Sequence, residues 1–167
     1  MNDHGNVNTS EQDPQAEEAR VKKRALRILE RRAHSTKELY DKLIEKGESP
    51  EHAAAAVAWL LEIRYLDDAQ YANDIVRHYH AKGYGKRKVE QELWRRGITK
   101  ELWAEAIEAE MPEINEDALD RFIQMKLRGE KPDQKAEKRV ADALARRGHG
   151  WDEIRSALRR YAEQIEE

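Results

Sequence analysis

The octapeptide EQELWRRG (residues 90–97) has two counterparts in the chain that share its pattern. They are YDKLIEKG (40–47) and ADALARRG (141–148). The final glycines stand 50 and 51 residues apart, and each follows a leucine by four residues and an aliphatic residue by eight. Apolar residues four apart define one buried face of a helix, and glycine ends a helix because it adopts the left-handed conformation cheaply. The recurrence therefore predicts one helical unit that the chain uses three times.

Each unit is predicted to contain three helices, because helical periodicity continues on both sides of each octapeptide and no alternating strand pattern interrupts it. The predicted helices are 17–32, 36–46, 50–64, 68–81, 86–96, 100–110, 115–128, 133–147 and 151–165. We therefore predict an all-α fold of three tandem three-helix repeats (17–66, 67–112 and 113–167) that form an elongated helical array. Residues 1–16 are acidic, polar and aperiodic, and are predicted to be a disordered tail.

Residues of the type that caps helix N-termini support these boundaries. Ser35 and Glu38 match a capping box, and Pro50 follows Ser49 at a first helical position. Polar residues that would cap four later helices are Asp67, Thr99, Asn115 and Asp133.

Composition and targeting signals favour a soluble cytoplasmic protein. Apolar and charged residues each make up 39% of the chain, and there is no cysteine, which excludes disulfides and thiolate chemistry. No apolar run approaches the roughly 18 residues of a membrane span, and the N-terminus lacks the order of a signal peptide. We expect a protein without a membrane segment that acts as a monomer.

The net charge of −3 conceals strong local blocks of charge. Residues 77–100 carry a net charge of +6, residues 101–120 a net −8, and residues 135–160 a net +4. Basic blocks attract phosphates by counterion release, whereas the acidic block repels them. The alternation predicts contact with nucleic acid or with a surface of mixed charge.

The sequence shows no pattern that is typical of an enzyme, a cofactor site or a metal site. Gly83-Tyr84-Gly85 lacks the third glycine and the preceding strand of a dinucleotide-binding loop, and is interpreted as a helix corner. His78 and His80 are two residues apart on a helix, so their side chains diverge and do not form a joint ligand pair. Paired acids such as Glu90 and Glu92 lie on solvated helices, where nothing desolvates one of them for acid–base chemistry.

Binding residues are predicted at the basic corner and at two helix ends. The candidates are Lys82, Tyr84, Lys86, Arg87, Lys88, Arg95, Arg96, Arg146 and Arg147. The last four arginines end helices, where complementing the helix dipole explains them as well as binding does. That explanation fails for Lys86, Arg87 and Lys88, because the dipole disfavours cations at a helix N-terminus. Tyr84 is the aromatic residue expected to be exposed, whereas the four tryptophans are predicted to pack between helices: Trp59, Trp94, Trp103 and Trp151.

Three segments resemble one known family. YLDDAQYA (65–72) followed by KGYGKRKVEQELWRRGI (82–98) closely resembles the signature of the RecX family of bacterial RecA regulators, and RALRILERRAHSTKELYDKL (24–43) resembles the family's first unit. The resemblance covers residues 20–165, is strongest over 63–110 and is weakest in the third unit. The acidic tail is not part of the signature.

The resemblance implies tandem three-helix repeats and a non-enzymatic regulator that binds the RecA–DNA filament. Such proteins inhibit the recombinase in ATP hydrolysis, strand exchange and repressor cleavage, in DNA repair and the SOS response. It also implies weak binding to single- or double-stranded DNA without sequence preference. Two alternatives stay open: a free-standing helical DNA-binding regulator, because short helices joined at glycine corners imitate a helix-turn-helix, and a helical adaptor without nucleic-acid contact.

Overall fold

The computed structural model of the protein describes residues 13–166, which fold into nine helices and, within that range, no strand. The helices are α1 (Pro14–Arg31), α2 (Thr36–Glu45), α3 (Pro50–Glu62), α4 (Asp68–Ala81), α5 (Lys86–Arg95), α6 (Lys100–Glu110), α7 (Glu116–Leu127), α8 (Gln134–Arg146) and α9 (Trp151–Glu166). The predicted all-α fold class is confirmed. The tail predicted at 1–16 lies mostly outside the described residues.

The first helix begins earlier than the predicted residue 17. Asp13 is its N-cap and accepts a hydrogen bond from the backbone N–H of Gln15 at 3.1 Å, and Pro14 occupies the first helical position. Asp followed by Pro is a strong start signal, because the carboxylate satisfies a free amide and proline has none to satisfy. Residues 14–16 therefore belong to α1.

The predicted caps are present with one exception. Ser35 and Glu38 form the full capping box, and the side chains of the other predicted caps accept backbone N–H bonds: Ser49, Asp67, Asn115 and Asp133. Thr99 stands at the N-cap of α6, but its hydroxyl makes no capping hydrogen bond. The prediction for Thr99 is correct in position and wrong in its side-chain contact.

The glycines that define the repeats end their helices in one shared way. Gly47, Gly97 and Gly148 have positive φ angles of 88°, 75° and 95°. Each glycine N–H, and the N–H of the next residue, donate to carbonyls of the last helical turn. This pair of hydrogen bonds is the Schellman motif, and it satisfies carbonyl groups that the end of a helix leaves without a partner.

Two compact units divide the chain, the first ending at Leu66 and the second beginning at Asp67. The core of the first unit joins α1, α2 and α3 around fully buried residues such as Val21, Leu39 and Leu60. The second unit has two clusters. One joins α4, α5 and α6 around Val89 and Leu93, and the other joins α7, α8 and α9 around side chains that include Ile123, Leu144 and Ile154.

Candidate functional site

The basic corner, which comprises residues 82–88, lies between α4 and α5 in the second compact unit. It begins with a Schellman motif. Gly83 has a φ of 78°, and its N–H donates to the carbonyl of His80 at 3.0 Å. The N–H of Tyr84 donates to the carbonyl of Tyr79, also at 3.0 Å. Gly85 then serves as the N-cap of α5, without a side chain to cap it. The corner thus redirects the chain at residues 83–85 and starts α5 on a basic turn.

The glycine ending α8 packs directly against this corner. The N–H of Gly85 donates to the carbonyl of Arg147 at 2.9 Å, and the N–H of Arg87 donates to the carbonyl of Gly148 at 3.2 Å. A Cβ on Gly85 would overlap the carbonyl group of Gly148, and a Cβ on Gly148 would overlap the backbone nitrogen of Lys88. The two glycine corners therefore interlock backbone to backbone.

The same packing argues against a phosphate-binding loop at Gly83-Tyr84-Gly85. The N–H groups of Lys88 and Val89 donate to the carbonyl of Gly85, and that of Arg87 is taken by Gly148. An anion at a helix N-terminus binds to free amide groups. The amides of Gly85, Arg87, Lys88 and Val89 thus donate within the protein, as expected for a helix corner.

The side chains at the start of α5 differ in how far they are engaged. Lys86 is 63% exposed and stands 4.0 Å from Glu90, while Lys88 is half-buried and stands 3.8 Å from Glu92. Arg87 is exposed, and its guanidinium has no ion-pair partner within residues 13–166. Lys82 is exposed, and its side chain has no hydrogen-bond or ion-pair partner within residues 13–166, while its backbone carbonyl accepts a hydrogen bond from Arg147. Arg87 and Lys82 are therefore the freest cations of the corner.

The predicted arginines at the end of α5 surround a buried carboxylate. Arg95 binds Glu92 at 2.8 Å, and Arg96 approaches the same carboxylate at 3.5 Å. The hydrogen bond from Arg95 lowers the pKa of Glu92 although burial opposes this. Arg96 also donates to the hydroxyl of Tyr71 at 2.6 Å, and is half-buried. Arg95 keeps 63% of its side chain exposed, so the two arginines differ in availability.

Arg147 and Tyr84 form an internal contact, which corrects the expectation that Tyr84 is exposed. The guanidinium of Arg147 lies 4.2 Å from the Tyr84 ring centre and 5.1 Å from that of Phe122. It also donates to the carbonyl of Lys82 at 2.8 Å. Tyr84 packs edge-on against Tyr79 at 5.2 Å, so its ring is half-buried. Arg146, one residue earlier, is exposed.

Trp94 is exposed, contrary to the prediction that it packs between helices. It keeps 75% of its surface accessible, and Trp151 keeps 54%. Arg87, Gln91 and Trp94 are spaced by four and three residues, so they lie along one face of α5, and all three are exposed. We call this face, with Lys86 and Arg95 beside it, the α5 face. The position of Trp94 next to Leu93, off the buried stripe, was the sequence signal for this exposure.

Neither a metal-ligand cluster nor a membrane-crossing helix is present among residues 13–166. Among residues 13–166 no group of three or more histidine, aspartate or glutamate side chains is arranged to hold a metal ion. Within the same part of the chain, no helix is both long and apolar enough to cross a bilayer.

Comparisons with known proteins agree on one family. The models of the first and second three-helix domains of RecX match residues 22–60 and 67–107. A regulatory protein RecX from Stenotrophomonas maltophilia is 41% identical over 137 residues, covering 81% of this chain and 83% of that protein. One from Vibrio parahaemolyticus is 34% identical over 148 residues, covering 88% of this chain and 95% of that protein.

Solved structures resemble the fold. The crystal structure of RecX from Lactobacillus salivarius superposes with a TM-score of 0.78 at 15% identity, covering 89% of this chain and 98% of that one. A second crystal structure, of a regulatory protein RecX, gives a TM-score of 0.76 at 20% identity, covering 86% and 72%. At such low identities these structures support the fold alone.

Proposed function

Because this chain belongs to the RecX family of regulatory proteins, we propose that it binds the RecA–DNA filament and inhibits the recombinase. The inhibited activities are ATP hydrolysis, strand exchange and the stimulation of repressor cleavage, in DNA repair and the SOS response. The protein acts in the cytoplasm as a monomer and performs no catalysis of its own. Its own DNA binding is weak and blind to sequence.

The α5 face is the observation that carries this proposal. It presents an unpaired guanidinium at Arg87, a weakly paired ammonium at Lys86 and an exposed indole at Trp94. Cations at a helix N-terminus oppose the helix dipole, and an exposed indole leaves a large apolar surface in water. Both features cost stability in the free protein, and both are explained by a partner that covers them.

The chemistry of the α5 face fits a partner made of protein and nucleic acid. Arginine and lysine attract phosphates without reading sequence, while tryptophan supplies the large apolar contact that dominates many protein interfaces. A nucleoprotein filament presents both kinds of surface within a short distance. A free DNA duplex offers Trp94 only small apolar contacts outside its base stack, such as the thymine methyl groups of the major groove.

The interlocked glycine corners support the α5 face by fixing its start. The carbonyls of Arg147 and Gly148 hold the amides of Gly85 and Arg87, so the first turn of α5 is positioned by backbone contacts. A rigid surface loses less conformational entropy when it binds. Arg96, Arg147 and Tyr84 act as positioning residues, whereas Lys82, Lys88, Arg95 and Arg146 add charge to the contact.

Reversal of the charges of Lys86 and Arg87, both exposed, tests the proposal. In the variant Lys86→Glu/Arg87→Glu, the concentration that half-inhibits filament ATP hydrolysis should rise more than about tenfold, because attraction becomes repulsion. The thermal stability should stay the same or rise, since acids at a helix N-terminus contribute about 0.3–1 kcal/mol each. Trp94→Ala should also weaken inhibition, with little loss of stability because the ring is exposed.

The matched control is Lys135→Glu/Lys138→Glu, which changes the net charge equally at two exposed lysines of α8 without ion-pair partners in the described chain. This control should inhibit like the unaltered protein. Equal inhibition by the control, the Lys86→Glu/Arg87→Glu variant and Trp94→Ala would remove the α5 face from the binding site.

A further inference from the structure

A basic groove lies between α1 and α2 in the first compact unit. Its volume is about 690 Å³, and Ile28 and His34 complete its lining. The other lining residues are all cations: Arg24, Arg27, Arg31, Arg32, Lys42 and Lys46. Among residues 13–166, no acidic side chain lines the groove, although the chain as a whole carries more acids than bases. The groove is therefore a concentration of positive charge.

Three of the six cations have internal partners. Arg24 donates to Glu48 at 2.7 Å, Lys42 pairs with Glu45 at 2.9 Å, and Arg32 stands 3.6 Å from Glu38. The contacts of Arg24 and Arg32 join the α1 side of the groove to α2 and the residues after it, whereas the contact of Lys42 stays within α2. They leave a groove whose charge is only partly compensated.

The other three cations are exposed and uncompensated. Arg27, Arg31 and Lys46 make no side-chain hydrogen bond or ion pair within residues 13–166. A favourable interaction with the helix dipole explains a cation only at the end of a helix. Arg31 lies in the last turn of α1 and Lys46 directly follows α2, so both have this explanation. It does not explain Arg27, one turn earlier on the same wall. Like charges gathered around one groove repel each other, so their grouping lowers stability unless an anion enters.

The spacing of the cations indicates an extended anion. Arg24, Arg27 and Arg31 follow at three and four residues, so they form one stripe on α1 about 10 Å long. Lys42 and Lys46, four residues apart, form the opposite wall on α2. A single phosphate ion reaches only part of such a stripe, whereas a run of linked phosphates reaches all of it.

We propose that this groove binds the phosphodiester backbone of a nucleic acid strand. Guanidinium groups bind phosphate oxygens with paired donors, and neutralised phosphates release counterions, which supplies the affinity without reading bases. The inference rests on the proposed function, because it assigns the protein's own sequence-blind DNA binding to this groove. Its failure is distinguishable, because inhibition of the filament is tested at the α5 face, which belongs to the other compact unit.

Neutralisation of the three unpaired cations tests the groove. Binding of a fluorescent oligothymidine is measured by anisotropy at several salt concentrations, for the unaltered protein and for Arg27→Gln/Arg31→Gln/Lys46→Gln. The variant should bind at least about tenfold more weakly at low salt, and its plot of log affinity against log salt should be less steep by about 2, because about 0.7 counterions are released per phosphate contact. Its helical circular dichroism should be unchanged, since the three side chains have no internal partners to lose.

The control Lys135→Gln/Lys138→Gln/Arg139→Gln removes the same charge from exposed residues of α8, and should retain the affinity and salt slope of the unaltered protein. Equal losses of affinity in both triple variants would show a general effect of charge, and would overturn the proposal that the groove binds the strand. An unchanged salt slope in the groove variant would also overturn it. Inorganic tripolyphosphate, added at constant ionic strength, separates the two phosphate sources. Binding as tight as that of the oligonucleotide, and lost in the same variant, would reassign the groove to free polyphosphate.

Discussion

Gly148→Ala is expected to destabilise the second compact unit by about 2–5 kcal/mol. Gly148 has a φ of 95°, which costs an alanine about 1–2 kcal/mol. The added Cβ would also overlap the backbone nitrogen of Lys88, which lies in the first turn of α5 and has no freedom to rotate away. Overpacking of this kind costs about 1–3 kcal/mol more. Hydrogen exchange of the α4–α9 amides measures the loss.

Gly47→Ala is the matched control for this prediction. Gly47 has the same Schellman position and a φ of 88°, but a Cβ there would meet no atom within 4 Å. Its cost should be about 1–2 kcal/mol, from the backbone conformation alone, and confined to the first unit. Equal losses in the two variants would contradict the interlocked corners, because the difference between them measures the packing of Gly148 against α5.

Glu48→Gln is expected to destabilise the first compact unit by about 1–2 kcal/mol at pH 7. The Glu48 carboxylate is 3% exposed and accepts hydrogen bonds from Arg20 at 2.8 and 2.9 Å and from Arg24 at 2.7 Å. Charged hydrogen bonds contribute about 1.5–3 kcal/mol, but both arginines are more than 40% exposed, so solvent reduces the value. Urea unfolding followed by hydrogen exchange in α1–α3 measures the difference.

The effect of Glu48→Gln should depend on pH. The hydrogen bonds from Arg20 lower the pKa of Glu48 below its ordinary value, although burial opposes them. A carboxylate whose folded-state pKa is lowered stabilises the fold above the unfolded pKa of about 4.3, and this contribution is lost as the pH falls through the folded-state pKa. The difference in unfolding free energy between the unaltered protein and Glu48→Gln should therefore disappear at acid pH. Glu45→Gln, at an exposed pair with Lys42, should show almost no gap at any pH. A gap that persists at pH 2 would contradict the charged contact.

The sequence predicted what is local and missed what depends on contacts between distant segments. The helix ends followed from glycines and N-caps, because those signals act within one turn. Tyr84 was placed wrongly because Arg147, whose guanidinium lies over its ring, is distant in sequence. Trp94 was placed wrongly because tryptophan is usually buried, a preference that its position on α5 overrides.

The basic groove was missed for the same reason. Residues 20–37 carry eight bases and one acid, a net charge of +7, so the sequence shows the basic wall on α1, but it does not show that Lys42 and Lys46 lie opposite it. Only the packing of α1 on α2 brings the two lysines opposite the arginines of α1. Similarly, Gly85 contacts Gly148 in a different repeat, and no sequence pattern within either repeat indicates that contact.

Hydrolysis of ATP by RecA filaments tests the proposed function most directly. The protein is added to filaments already assembled on single-stranded DNA, so that competition for free DNA does not contribute, and the rate is followed as its concentration rises. We expect the rate to fall in a saturable manner, and the Lys86→Glu/Arg87→Glu variant to need more than about tenfold more protein for the same fall. An unchanged rate at saturating concentrations of the folded protein would contradict the assignment of this chain as an inhibitor of the RecA filament.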